Sequence, residues 1–183
     1  MRAIALLGLF LILPLAGQTP APAPLQAPAD ELALHPKCPF CGMDRRQFSA
    51  TRMLVQYGDG HLEGTCSLHC AAIGLSLNLD REPAAIWVGD QGSEAAPRPL
   101  LDAEKATFLL GSKLPGVMTA TSKAAFASRE AALKIQAAQG GELATFEQAL
   151  QAAYADMARD VARIRKMRAE RRRRAPQMPA AKP

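Results

Sequence analysis

Hydrophobic and polar positions alternate in period along this chain, and the changes of period mark its elements. Thr51 to Tyr57 (TRMLVQY) has strand composition, Gly58-Asp59-Gly60 signals a turn, and His61 to Thr65 (HLEGT) returns as a short second strand. From Cys66 the pattern turns helical, with Leu68, Ala71, Ala72, Leu75 and Leu79 at three- and four-residue spacing. Pro83 ends that helix, and Ala84 to Val88 (AAIWV) reads as a buried strand. The same order recurs further on. Ala106 to Leu110 (ATFLL) is a strand, Lys113 to Gly116 a turn, and Val117 to Ala120 a return strand. Ser122 is placed to cap a helix whose apolar positions include Ala125, Phe126, Ala132, Leu133 and Ile135. Gly140-Gly141 terminates it, and Glu142 to Thr145 adds a last strand. A third helix runs from about Phe146 into a basic end, with Leu150, Ala153, Tyr154, Met157, Val161 and Ile164 along its apolar face. The fold class is therefore α+β: two strand-strand-helix-strand units and a long C-terminal helix, the two small halves sharing one core.

The N-terminus bears on compartment. Arg2 precedes an apolar run from Ala3 to Ala16, broken only by Gly8 and Pro14. At about 14 residues it is shorter than the roughly 20 needed to span a bilayer, and it follows the plan of a secretory signal. Residues 1–17 are read as a signal peptide, which places the protein in the periplasm or another exported location; left uncut, the segment would hold it at the membrane. Leu15-Ala16-Gly17 resembles the start of a lipoprotein box, but Gln18 stands where the lipidated cysteine belongs. Residues 18–34, rich in Ala and Pro, read as an extended tether. About 150 residues remain, enough for one compact domain or two small lobes. The metal-binding domain is assigned to 35–150, with halves 35–92 and 100–146; the basic helix to 147–174; and a disordered tail to 175–183.

Charge is unevenly placed. From Arg159 onward ten Lys or Arg face only Asp160 and Glu170, a net of +8. The whole chain is +5, so everything before that point nets −3. Arg171 to Arg174 end the long helix, where cations favour the negative pole of its dipole. The alternative reading is attraction to an anionic membrane surface. An exported chain with so few aromatics argues against a nucleic-acid partner.

Chemistry concentrates in one stretch. All four cysteines and all three histidines lie between His35 and Cys70. Cys38-x2-Cys41, followed after 24 residues by Cys66-x3-Cys70, has the spacing of a four-cysteine zinc site. Cys66 and Cys70 are one helical turn apart, at a helix start that favours thiolate. A second reading centres on Cys41-Gly42-Met43. A thioether is a poor zinc ligand and a good one for soft, low-coordinate Cu(I). Thirdly, four cysteines in an exported protein suit disulfides. A thiol oxidoreductase centre is disfavoured, because Cys38-x-x-Cys41 does not follow a strand and open a helix. His69 is a further candidate ligand; His35 and His61 read as solvent-facing loop residues.

Cys38-Pro-Phe-Cys-Gly-Met43, Phe48, Thr65-Cys66-Ser67, Ile86-Trp87-Val88, Phe108-Leu-Leu-Gly-Ser112, Gly116-Val-Met-Thr119, Phe126 and Gly140-Gly141 occur in that order. Together they resemble the NosL-type accessory proteins of nitrous oxide reductase, which are periplasmic copper chaperones. The resemblance covers roughly His35 to Leu150. It implies two strand-strand-helix-strand units and a Cu(I) site of a Cys-x-Met motif with a distant methionine. Those positions are Cys41, Met43 and Met118, the last expected on the return strand of the second half. Cys38, Cys66, Cys70 and His69 are additional potential ligands. The implied function is delivery of Cu(I) to a periplasmic copper enzyme or transporter partner, without bond-breaking chemistry. A structural zinc module is the alternative. Two features depart from the family: Gln18 removes the lipid anchor, and the arginine-rich terminal helix has no counterpart.

Overall fold

In the computed structural model, which describes residues 25–174, the first element already departs from expectation. Helix α1 (Glu31–Leu34) is a single turn inside the segment read as tether, with Glu31 and Leu32 buried. The signal segment, the start of the tether and the 175–183 tail lie outside the described residues.

Strands β1 (Met53–Tyr57) and β2 (Leu62–Thr65) form the expected hairpin across Gly58-Asp59-Gly60, where Gly60 takes a φ of +85° and Asp59 Oδ1 accepts the His61 N–H. Helix α2 (Leu68–Leu77) and strands β3 (Pro83–Gly89) and β4 (Leu100–Asp102) complete a four-stranded antiparallel sheet ordered β2-β1-β3-β4. The central position of β1 explains its composition: Met53, Leu54, Val55 and Tyr57 are all buried, as a strand covered on both faces requires. Helix α2 stops two residues short of Leu79, because the Asn78 side chain donates to the Gly74 carbonyl and ends it. Leu79 is consequently 87% exposed.

The second half repeats the order. Strands β5 (Thr107–Leu110) and β6 (Lys123–Phe126), helix α3 (Arg129–Gln139) and strand β7 (Glu142–Ala144) give a three-stranded antiparallel sheet ordered β6-β5-β7. Two expectations are corrected here. The return strand is 123–126, not 117–120, and the cap of α3 is Ser128, whose Oγ accepts the Ala131 N–H. Ser122 instead closes the base of a long 111–122 loop, donating to the Ser112 carbonyl at 2.9 Å. Lys-Ala-Ala-Phe has a helical composition, but all four residues are buried against β5, so tertiary burial overrides propensity.

One core joins the halves. Met53 and Val88 of the first sheet, Leu68 and Ala72 of α2, and Phe108 and Ala125 of the second sheet pack with Phe146, Ala149 and Ala153. The last three belong to α4 (Phe146–Arg174), and the Phe108 and Phe146 rings lie 5.9 Å apart. Burying each such ring contributes about 2 kcal/mol. Gln91 N–H also donates to Ala125 O at 2.8 Å, linking the sheets directly. The inward face of α4 is in part the one expected, since Ala153 is buried and Leu150 and Met157 pack against the core, but it is rotated. Ala149, Ala153, Asp156 and Asp160 are buried, whereas Tyr154 and Val161 are 42% and 41% exposed. The two aspartates turn inward because they have partners there. Lys123 Nζ lies 2.7 Å from Asp156 Oδ2, and Ala120 N–H donates to Asp160 Oδ1 at 3.1 Å.

Candidate metal centre

The loop that carries Cys38, Cys41 and Met43 is a tight hairpin in its own right. Gly42 N–H donates to Cys38 O and Cys38 N–H to Met43 O, both at 2.9 Å. Gly42 sits at a φ of +78°, a left-handed turn that a residue with a Cβ adopts only at a cost of about 1 kcal/mol. Arg45, with no exposed surface, fastens this hairpin to the sheet. Its guanidinium donates to the carbonyls of His35, Met53 and Thr65 at 2.6, 2.9 and 3.1 Å. The same group pairs with Glu31 at 2.7 Å, and Glu31 also takes Arg52 at 2.7 Å. Helix α1 thus exists to bring one buried carboxylate to two buried guanidiniums.

From the other side, Cys66 and Cys70 stand one turn apart at the start of α2. The four Sγ atoms all lie within 4.8 Å of one another. Cys41 and Cys66 are 3.4 Å apart, and Cys66 and Cys70 3.7 Å. All four are free thiols, so the disulfide reading is not what the structure shows. Cys38, Cys66 and Cys70 are buried; Cys41 alone is partly exposed. The thiols share charge unequally. Hydrogen bonds from Cys41, then Cys66 and Cys70, push Cys38 far below the ordinary thiol range. Cys41 is pulled down to about 7: its hydrogen bond with Cys38 raises it, and those with Cys66 and Cys70 outweigh that. Cys66 and Cys70 are pushed up, first by Cys38 and then by Cys41. The bias of the coupled set is thus toward thiolate on the hairpin side and protons on the helix side, against the preference expected from the helix start.

Phe40, Met43, Phe48, Val117 and Met118 pack against the thiols as an apolar shell. Cys41, Met43 and Met118 also open together onto a cavity of about 640 Å³. Met118 therefore meets the cysteines as expected, but from a loop and not from a strand. Its φ of +62° is left-handed, the one such value for a non-glycine residue among the described residues. The loop is held from below by Asp160 through Ala120 N–H. His69 goes elsewhere: it is buried with Nδ1 3.4 Å from Asp160 Oδ2, outside the thiol group. Burial first, against the pull of Asp160, keeps its pKa low. His61 stacks on Tyr57 at 5.7 Å, away from the thiols.

The NosL family profile matches residues 29–154. This chain belongs to the NosL family. Its fold is similar to that in the crystal structure of the copper chaperone NosL from Shewanella denitrificans, with a TM-score of 0.54 and 21% identity over 69% of this chain and 96% of that one. The solution structure of the apo-NosL protein from Achromobacter cycloclastes is more distant, at a TM-score of 0.37 and 22% identity over 52% and 82% of the two chains. No curated protein matches.

The NosL match ends at Tyr154, whereas α4 continues to Arg174. That continuation supplies a wall of the cavity: Arg163, Ile164, Met167, Arg168 and Arg171 line it. By sequence, Ile164 belongs to the apolar face of the helix, whereas the arginines and Met167 read only as part of its solvated or membrane-facing basic end. The signal that finds them is the buried stripe of α4 carried forward from Asp160 in three- and four-residue steps. Glu31 and Arg45 were missed too, since nothing local to either residue reveals a pairing across 14 positions.

Proposed function

We propose that this NosL family protein is an exported carrier of Cu(I) that delivers the ion to a periplasmic copper enzyme or transporter partner, with nitrous oxide reductase the leading acceptor. The observation that carries this reading is the placement of Cys41. It is the partly exposed thiol of the four, its pKa is close to neutrality, and it shares one open cavity with Met43 and Met118. One thiolate and two thioethers suit Cu(I) and suit few competing ions. Thioethers exchange readily, so the ion is selected without being trapped. The work is ligand exchange, with no bond of a substrate made or broken. The cavity gives an acceptor's own ligand room to approach the ion. Similarity to a structure described as a copper chaperone supports the reading.

A structural zinc site is the second reading, favoured by four Sγ atoms within 4.8 Å of one another. The two separate by titration. Reduced, anaerobic protein is titrated with Cu(I) against a competing chelator, beside Cys41→Ser, Met43→Leu and Met118→Leu. Each variant is expected to weaken Cu(I) binding by about tenfold or more, the loss of one good ligand. Zinc co-purifying at one equivalent, with Cu(I) affinity indifferent to both methionines, sinks the carrier reading.

Export rests on the apolar run from Ala3 to Ala16. The net of +8 from Arg159 onward favours contact with an anionic membrane surface. Deleting residues 165–183 is expected to abolish sedimentation with phosphatidylglycerol vesicles; undiminished binding refutes the contact.

A further inference from the structure

Residues 155–174 lie beyond the family match, and their inward face closes the cavity of the metal centre. Ala149, Ala153, Asp156 and Asp160 form the buried stripe of α4. At helical steps that stripe runs on through Ile164, Met167 and Arg171, all three of which line the cavity. Two buried contacts set this rotation about the helix axis: Lys123 with Asp156, and Ala120 N–H with Asp160. The second ties α4 to the very loop that presents Met118, so the two walls are held to one another.

Met167 is the residue here whose chemistry the packing does not explain. It is 51% exposed on a helix end made almost wholly of Arg, Lys, Ala and Glu, where a methionine gains little by burial. What it does face is a cavity bearing one thiolate-prone sulfur and two thioethers. Its companions in the lining are Arg163, Arg168 and Arg171; the last two are exposed, and the Nε of Arg163 is buried with no partner among the described residues. Guanidiniums in the lining, two of them exposed, raise the cavity's potential, which disfavours loss of a bare cation to solution and favours an anionic group arriving from outside.

We propose that Met167 is a transfer ligand for Cu(I): a thioether that takes the ion at the mouth of the cavity and passes it to an acidic acceptor surface. The proposal rests on Cu(I) being the cargo. In the step, Cys41 keeps its bond to the ion. A bond from Met167 Sδ forms as the bond from Met43 or Met118 breaks. Both thioethers are neutral, so no proton or electron moves and the ion stays Cu(I). The acceptor's own ligands then replace the remaining thioether of Met43 or Met118, Cys41 and finally Met167, one bond forming as each breaks, and the Cys41 thiolate is left free to regain a proton. Release through Met167 accordingly faces the arginine rim, where an acidic partner docks.

The test uses the chain labelled with ¹³C-methyl methionine and loaded with Ag(I), a soft monovalent probe without redox chemistry, and then with Cu(I). The methyl signals of Met43, Met118 and Met167 are expected to shift, with Met167→Leu assigning the third. Met53, in the core, serves as the unmoved control. In parallel, Met167→Leu is expected to bind Cu(I) nearly as tightly as the parent chain and to hand it several-fold more slowly to an anionic chelator. Because the side chain is half exposed, this change does not threaten folding. A Met167 signal that stays still while Met43 and Met118 move overturns the proposal, as does an unchanged transfer rate. If none of the three methyls moves while the ion still binds, it lies among the cysteines: the site of Cys41, Met43 and Met118 falls, and this proposal with it.

Discussion

Met118 concentrates the conflict between stability and chemistry in a single residue. Its thioether lines the cavity with Cys41 and Met43, yet its backbone holds a left-handed φ of +62°. Such a conformation costs an L-residue about 1 kcal/mol or more and persists only where surrounding contacts impose it. Here they do: Gly116 packs its Cα against Thr119 O so closely that a Cβ would sit 2.3 Å from it, and Asp160 grips Ala120. A paired substitution isolates the strain. Met118→Gly and Met118→Ala both remove the thioether, and both are expected to weaken Cu(I) binding equally. The glycine variant should nevertheless be the more stable in urea unfolding by about 1 kcal/mol, because only glycine is at ease at positive φ. Equal stability would mean that the loop relaxes and the strain is not stored there. Local sequence made this residue visible as a soft donor, since Gly-Val-Met can be read in place. It could not show the backbone that presents it, which the close approach of Gly116 to Thr119 and the grip of Asp160 on Ala120, 40 positions away, impose together.

Elements were legible where their signal is local. The β1–β2 hairpin, α2, β3, β5, α3's glycine stop and the span of α4 all follow from periodicity and turn residues. Legibility failed between Val117 and Ser128, where alanines and a lysine gave no strand signal and the pairing with β5 decides. It failed again on the face of α4, because hydrophobicity sends aspartate outward and buried partners bring it in. The Lys123–Asp156 pair that causes this carries a prediction. Burial pushes the Asp156 carboxyl up, but the hydrogen bond and charge of Lys123 outweigh it and hold the pKa below the ordinary 3.8. The folded state therefore binds the proton less than the unfolded one. The pair's contribution is fully present above the unfolded value and is lost as pH falls through the folded one. Lys123→Met leaves the carboxylate with only Thr121 and the exposed Arg159 to offset its burial, at an expected cost of about 3 kcal/mol near neutrality. In the variant, burial raises Asp156 against only the weaker pull of Thr121 and Arg159, so acid relieves it while it harms the parent. Urea unfolding at neutral pH and near pH 3.5 should show the gap between the two shrinking. A gap constant with pH would assign the loss to packing and not to charge.

At the scale of the whole molecule the site is an interface. Four thiols come from the first half, Met118 from the second, and Met167 from a helix that runs past the end of the family match. Residue spacing could reveal the first group because it is close in sequence, and only the fold could add the others. This division also separates two modes of metal binding by their protons. Hydrogen bonding within the cluster pushes Cys66 and Cys70 up, so they keep their protons at neutral pH, while Cys41, pulled down to about 7, holds its proton only in part. An ion held by all four sulfurs must displace the protons of Cys66 and Cys70 and the remaining share on Cys41. An ion held by Cys41, Met43 and Met118 displaces only that share, since thioethers carry no proton. Affinity rises with pH in both modes, because the proton and the metal compete for the same sulfur. The slopes differ: more than about two decades per pH unit for the four-thiolate mode and less than about one for the mixed mode. Calorimetric titration at neutral pH in two buffers of unlike ionisation enthalpy counts the protons directly. Zinc is expected to follow the first pattern and Cu(I) the second. Should Cu(I) release as many protons as zinc, the copper would lie within the cysteine cluster, and the two methionines would be its lining and not its ligands.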